Sequence, residues 1–334
     1  LVAEEEPTLA QLVRVLLQLD LALARGRYGR WLGGVPPQLN EALDAPFLLR
    51  ELRHPLLIWQ QKKAGGSTVV PISIEVSAEL RVVAITGPNT GGKTVTLKSI
   101  GLAALMARAG MLLPCSGQPS LPWCAQVLAD IGDEQSLQQS LSTFSGHVKR
   151  IGRILSALEA GPTPALVLLD EVGAGTDPSE GTALATALLK ALADRARLTV
   201  ATTHFGELKA LKYSDSRFEN ASVAFNAETL SPTYDLLWGI PGRSNALAIA
   251  SRLGLDPAVL NQARELLAPA AEGEVNSVIR GLEEQRQRQQ SAAEDAAALL
   301  ARTELLHEEL LQRWEKQKQQ TEARQEQGRQ RLER

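Results

Sequence analysis

The stretch Arg81–Gly101, RVVAITGPNTGGKTVTLKSIG, constrains this chain more than any other. Val82, Val83, Ile85 and Thr86 form a short apolar, β-branched run that reads as a buried strand, and the spacing after Lys93 predicts a helix over Val95–Met106. The glycines between them therefore sit at a strand-to-helix turn. Gly87, Gly92, Lys93 and Thr94 fit the pattern G-x-x-x-x-G-K-[ST], which makes Gly87, Pro88, Asn89, Thr90, Gly91, Gly92, Lys93 and Thr94 candidates to wrap nucleotide phosphates. Backbone N–H groups at a helix N-terminus, with the helix dipole behind them, favour an anion. Lys93 would neutralise the β- and γ-phosphates of ATP, and the Thr94 hydroxyl would hold Mg2+. The plainer alternative is a glycine turn that merely joins a strand to a helix.

A second apolar strand ends in two adjacent carboxylates, Asp170 and Glu171, within ALVLLDEVGAGTDPSEG at Ala165–Gly181. Phosphoryl transfer needs one acid near magnesium and a second group to orient the attacking water. Asp170 fits the first role and Glu171 the second. An acid pair at a strand end is more often a solvated terminus. About seventy-five residues beyond a phosphate loop, on a strand expected to neighbour it, the pair acquires a purpose. His204 ends a further strand, TVATTH, where a lone histidine is usually structural; after these motifs it reads as a switch that senses the γ-phosphate. LSTFSGH, at Leu141–His147, lies shortly before the acid pair and could be a simple helix cap through Ser142 or Thr143. Its position is also where ABC-type ATPases keep the signature segment that contacts the γ-phosphate held by the other subunit. DIGDEQS, at Asp130–Ser136, is expected to line the site without assignable roles.

The 334 residues, 44% hydrophobic and 22% charged, are enough for one large core with an appendage. Residues 1–45 hold an apolar helical repeat from Thr8 to about Ala24, expected to need a partner surface, and then a glycine- and proline-rich connection. This opening reads as the tail of an element mostly lying elsewhere, and the chain as a fragment. Residues 46–269 alternate strands (Val82–Thr86, Leu166–Asp170, Leu198–Thr203) with helices (Val95–Met106, Val148–Glu159, Thr182–Ala193). That order predicts an α/β fold, a P-loop NTPase with a mostly parallel sheet covered by helices. Val69–Val76 alternates like an edge strand, because Pro71 excludes it from a sheet centre. Residues 270–334 are rich in Glu, Gln, Arg, Ala and Leu, with a broken heptad pattern that suggests an extended helical arm or weak coiled coil. The two cysteines, Cys115 and Cys124, are too few for a disulfide framework and read as small buried hydrophobes. No run of 18 apolar residues and no signal peptide appear, so a cytoplasmic protein without a membrane partner is expected, and the net charge of −3 argues against a generally basic nucleic-acid surface.

Taken together, GPNTGGKTVTLKSIGL, DIGDEQSLQQSLSTFSGH, LLDEVGAGTDPSEG, TTHFGELKA and ENASVAFNAETLSPTYDLLWGIPGRSNALAIASRLGL resemble the ATPase domain of the MutS family. The likeness is closer to its second bacterial branch, the anti-recombination and ribosome-rescue paralogue, than to the mismatch-repair proteins. The resemblance implies an ABC-type homodimer with two composite sites for ATP and Mg2+, each completed by Ser142 and Thr143 of the other copy. It implies that Pro241–Ala250 supports dimerisation and that Tyr234 packs on adenine, where the plain alternative is a core tyrosine. In the full-length family, ATP is coupled to branched DNA or to collided ribosomes through other regions. No LDLRG-like or HGxG-like stretch follows the arm, so nuclease activity is not expected of this chain. Two rivals remain: a nucleotide-gated binding module with little turnover, and a chromosome-maintenance ABC ATPase with a coiled-coil arm. Lys93→Ala is expected to weaken nucleotide binding by about 10-fold or more, the worth of one charge-assisted contact to phosphate. Equilibrium titration with a fluorescent ATP analogue measures it, and unchanged affinity would reduce the loop to a plain joint.

Overall fold

Val82–Thr86, Ala165–Leu169 and Leu198–Thr202 are buried at every position, as strands are when both faces of their sheet are covered. The computed structural model describes residues 5–65, 68–87, 92–132, 143–226, 231–239, 242 and 246–266, with eight isolated positions between 288 and 314. In chain order the elements are α1 (Glu6–Leu32), β1 (Gln38–Asn40), β2 (Phe47–Leu52), α2 (Pro55–Ala64), β3 (Ile72–Val76), β4 (Val82–Thr86), α3 (Lys93–Arg108), β5 (Ser116–Pro122), β6 (Gln126–Asp130), α4 (Thr143–Ala160), β7 (Ala165–Leu169), α5 (Pro178–Arg195), β8 (Leu198–Thr202), a 3-10 turn (Glu207–Ala210), α6 (Leu211–Ser214), β9 (Phe218–Asn226), β10 (Ser231–Trp238), α7 (Ala246–Arg252) and α8 (Pro257–Leu266). By its contacts the chain divides into two units, Leu1–Leu267 and Ala268–Arg334. The isolated positions described in the second unit are helical, and the rest of the expected arm lies outside the described residues.

The main sheet has six strands in the order β10-β9-β4-β8-β7-β6. All its pairings are parallel except β9 with β10, so the mostly parallel α/β sheet read from the sequence is what the chain forms. Alternate residues of each central strand feed opposite cores. Val83, Ile85, Leu166, Leu168, Leu198 and Val200 pack with Leu97 and Ile100 of α3. Val82, Val167, Leu169 and Ala201 pack with Ile154 and Leu158 of α4 and with Leu189 and Leu192 of α5. A second sheet, ordered β1-β5-β2-β3, contributes Phe47, Leu49, Ile74 and Leu121 to the α3 side. β3 lies at its edge one residue after Pro71, as the alternation of Val69–Val76 suggested.

Three sequence expectations change. First, β7 does not neighbour β4, because β8 lies between them. Second, α1 does not stop near Ala24; it continues through Gly26 and Gly29 to Leu32. Gly29 and Leu32 are buried, and a Cβ on Gly29 would stand 2.5 Å from Leu112 Cδ1, so the glycine that looked like a helix breaker is what lets the helix seat. Third, the apolar surface of α1 is wider than one stripe: Leu9, Leu12, Leu16, Leu19 and Leu23 share a face, Leu17 and Leu21 lie off it, and all of them are exposed. Among the described residues, α1 is the helix whose length and hydropathy would suffice to cross a membrane. Shorter misreadings occur at helix starts. α5 begins at Pro178 rather than Thr182, because Asp177 accepts the N–H groups of Ser179 and Glu180 as an N-cap.

The two sheets are tied by one buried cation. Arg197, 3% exposed just ahead of β8, donates Nε and Nη2 to the Ala45 carbonyl (3.0 and 2.8 Å), Nη2 to Ser77 O (3.0 Å) and Nη1 to Leu80 O (2.8 Å). Burial, with Arg81 nearby, pulls its pKa down to about 10. These hydrogen bonds all go to backbone carbonyls, and the planar fork spreads its donors over three nitrogens to meet three separate carbonyls, where an ammonium gathers its donors on one atom. Arg197→Met strands those carbonyls, at about 1–3 kcal/mol for a buried group that loses its partner. We expect a loss of about 2–4 kcal/mol by urea unfolding, with Arg197→Lys recovering only part. A loss within ~0.5 kcal/mol, the scatter of ordinary surface changes, would show that the clamp contributes nothing.

Candidate functional site

The carboxyl ends of β4, β8 and β7 point the same way, and the polar residues there meet. β4 delivers Thr86 and then Gly87; Pro88, Asn89, Thr90 and Gly91 lie outside the described residues. Gly92 caps α3 in the left-handed region (φ 86°), and Lys93 opens the helix. The Lys93 side chain is almost wholly buried and folds back across the loop, donating Nζ to Gly87 O at 2.7 Å. Its Nζ also lies 3.2 Å from His204 Nε2. Thr94 Oγ1 donates to Asp170 Oδ2 at 2.8 Å. The loop, β7 and the segment after β8 are thus joined by two side chains of α3.

β8, the strand between, supplies a residue that sequence reading passed over. Thr202 Oγ1 donates to Asp170 Oδ1 at 2.5 Å and accepts the Glu171 N–H at 2.8 Å. One hydroxyl thereby fixes both acids. Glu171 needs such help, because its φ of 50° is a left-handed conformation that costs a non-glycine residue about 1 kcal/mol or more. The conformation turns its carboxylate toward His204, with Oε1 3.5 Å from Nε2. His204 Nε2 therefore faces both Lys93 and Glu171.

Burial lowers the Lys93 pKa to about 8, against the opposing pull of Glu171 and Asp170. Burial, and after it the Lys93 charge, also holds His204 below its ordinary value, with Glu171 and Asp170 opposing. A neutral His204 whose proton sits on Nδ1 can accept from the Lys93 ammonium. For magnesium, Thr94 Oγ1 and Asp170 Oδ2 are both hard oxygen donors. Their 2.8 Å separation is close to the ~3.0 Å between adjacent ligands of an octahedral ion with ~2.1 Å bonds. Among the described residues no cluster of three His, Cys, Asp or Glu could hold a metal. Magnesium bound with phosphates and water requires none.

The DIGDEQS stretch gains one assignment. Asp130 ends β6 almost fully buried; its carboxylate meets His147 Nδ1 at 2.7 Å and is bonded by Arg150 Nε, while its carbonyl accepts the Asp170 N–H at 2.9 Å. One residue thus joins the first turns of α4 to the acid-bearing end of β7. A cleft beside it is lined by Asp130, Phe144, His147, Glu171, Val172 and Leu184. Thr143 opens α4, but its side chain and the whole of Ser142 lie outside the described residues. Tyr234, on β10, is exposed and has a φ of 67°. A Cβ on Gly92 would lie 3.1 Å from its Cδ1, so its ring stands beside the loop and is not a core tyrosine. Cys115 and Cys124 are buried, free, and their thiols are pushed up to about 12 by burial.

Residues 83–270, more than half of the chain, match the family MutS domain V. A Synechocystis sp. protein named Endonuclease MutS2 is 58% identical over 321 residues, covering 91% of this chain and 39% of that protein. Proteins of the same name are 48% identical over 283 residues in Symbiobacterium thermophilum (84% of this chain, 34% of that one) and 42% identical over 314 residues in Staphylococcus aureus strain Newman (94% and 38%). The chain spans less than two fifths of the length of these curated relatives.

A polyphosphate bound beside Lys93 would return its proton. Below about pH 8 the lysine is charged before and after binding, so affinity is flat. Above that pH the empty site must take up a proton, and affinity should fall by up to ~10-fold per pH unit. Calorimetric titration in buffers of different ionisation enthalpy reads the uptake directly, and constant affinity through about pH 9.5 would mean that burial does not perturb Lys93.

Proposed function

This chain belongs to the MutS family, on the branch of its MutS2 relatives, and on that premise we propose that it binds Mg-ATP at the β4–α3 loop and hydrolyses it slowly in a dimer. The observation that carries this reading is the convergence of Lys93, Thr94, Asp170, Glu171 and His204, from three separate segments, through contacts of 2.7–3.5 Å. Phosphoryl transfer asks mostly for positioning and charge neutralisation, which is what such a cluster supplies. Lys93 takes the β- and γ-phosphates, and the loop from Gly87 to Gly92, Pro88 excepted, supplies backbone N–H groups. Thr94 and Asp170 would hold magnesium, which would draw negative charge from the phosphate oxygens. Glu171, turned outward by its left-handed backbone, orients the attacking water. His204 lies within reach of both Lys93 and Glu171 and reads the presence of the γ-phosphate.

The site is composite in this proposal: Ser142 and Thr143 of a second copy approach the γ-phosphate, in the ABC manner, and Tyr234 packs on the base. Its support is the place of Thr143 at the start of α4, a helix anchored through His147 and Arg150 to Asp130 beside Asp170. In the longer protein, a helical arm over residues 270–334 and regions outside this chain would couple closure of the dimer to branched DNA or to ribosomes in the cytoplasm.

Hydrolysis per subunit, measured across a wide range of protein concentration with mass determined at each point, tests the proposal. Activity should rise steeply as dimer forms, and Glu171→Gln should bind ATP yet lose about 100-fold or more in turnover, the usual scale for a catalytic base. Robust hydrolysis by Glu171→Gln would sink the assignment of Glu171, and activity that is independent of concentration in a monomer would remove the shared site.

A further inference from the structure

The reaction proposed above makes no use of Gly242, yet this buried glycine lies against the phosphate loop itself. Its N–H donates to Thr86 Oγ1 at 2.6 Å, and Thr86 Oγ1 donates in turn to Ala221 O at 3.3 Å. A Cβ on Gly242 would lie 2.9 Å from Gly87 Cα, 2.9 Å from Gly87 N and 2.9 Å from Thr86 C. These are backbone atoms, so no rotamer change could relieve the overlap. Gly242 is not in the left-handed region, and the close approach alone excludes a side chain.

The contacts continue around the site. The Gly242 carbonyl accepts Lys209 Nζ at 2.7 Å. Lys209 lies in the 3-10 turn Glu207–Ala210, just after His204, and its carbonyl accepts Asn220 Nδ2 of β9 at 2.8 Å. His204 reaches Lys93, and Lys93 reaches the carbonyl of Gly87. Thr86, Gly87, Lys93, His204, Lys209 and Gly242 thus form one ring, closed by hydrogen bonds and by two short stretches of chain, Thr86–Gly87 and His204–Lys209. A close-packed ring of this kind cannot shift at one point without moving another.

We propose that Gly242 is a positioning residue of the phosphate loop: its backbone is the stop against which Gly87 rests, and Lys209 holds that stop in place. Nucleotide affinity at the loop and the placement of the Gly242 segment then form a single equilibrium. The proposal rests on the Mg-ATP reading of the loop and adds the means of its control. Whatever displaces Gly242 changes ATP affinity, and ATP opposes that displacement by the same factor.

The test uses the full-length protein with Gly242→Ala, measuring equilibrium binding of Mg-ATP and, without nucleotide, amide hydrogen exchange over Val83–Thr94. The variant should bind at least ~10-fold more weakly and exchange faster in that segment, while Ala165–Leu169 keeps its protection and shows the fold intact. Binding equal to wild type would overturn the proposal. Should the variant fail to fold, Thr86→Val removes only the hydroxyl that receives the Gly242 N–H; it should weaken binding by about threefold or more, with Thr86→Ser restoring it. Wild-type affinity in Thr86→Val would overturn the proposal equally. If the wild-type protein itself does not bind Mg-ATP, the proposed function falls and exchange alone decides: faster exchange in Gly242→Ala keeps Gly242 as the stop, and unchanged exchange removes it.

Discussion

A parallel sheet covered on both faces accommodates polar side chains most readily where its strands end. That constraint arranges this molecule. Along β4, β7 and β8 the side chains facing the two cores are almost all apolar, and the buried polar residues Thr86, Asp130, Asp170, Thr202 and Thr203 cluster at the carboxyl ends. Buried polar groups need partners, and at one edge of a sheet the nearest partners are each other. Thr94 with Asp170, Thr202 with both acids, and Lys93 with the Gly87 carbonyl follow from that shortage.

The same shortage prepares the site for a charged ligand. Burial weakens the hold of Lys93 on its proton and keeps His204 from gaining one, and an anion beside them would strengthen the hold of both. The strain at Glu171 is of the same kind. A left-handed glutamate persists because Thr202 and the Ala174 turn hold its backbone on either side. Much of the cost of positioning is met when the chain folds, before any ligand arrives.

Rigidity around the site comes from contacts remote from it. Arg197 locks the start of β8 to the loops flanking β2 and β4, and Trp238 Nε1, at the end of β10, donates to Ser73 O of β3 at 2.9 Å. Both tie the small sheet to the large one. The cation in the first donates to the backbone carbonyls of Ala45, Ser77 and Leu80, at the end of β8 away from the acids of the site.

What the sequence determined by itself was local: three buried strands from their apolar runs, the glycine spacing of the loop, the acid pair at a strand end, and a histidine after the next strand. Each signal lies within a few consecutive residues, where side-chain periodicity and backbone preference act directly. Only the tertiary structure decided that β8 lies between β4 and β7, which turns Thr202 from an unremarked strand residue into the partner of both acids. It likewise decided that Asp130 joins α4 to β7, that Gly29 seats a helix instead of ending it, and that Gly242, more than 150 residues away, rests on Gly87. Those roles depend on which distant backbone comes to lie alongside, and strand order is set by how whole faces pack, a property that no short window of residues carries.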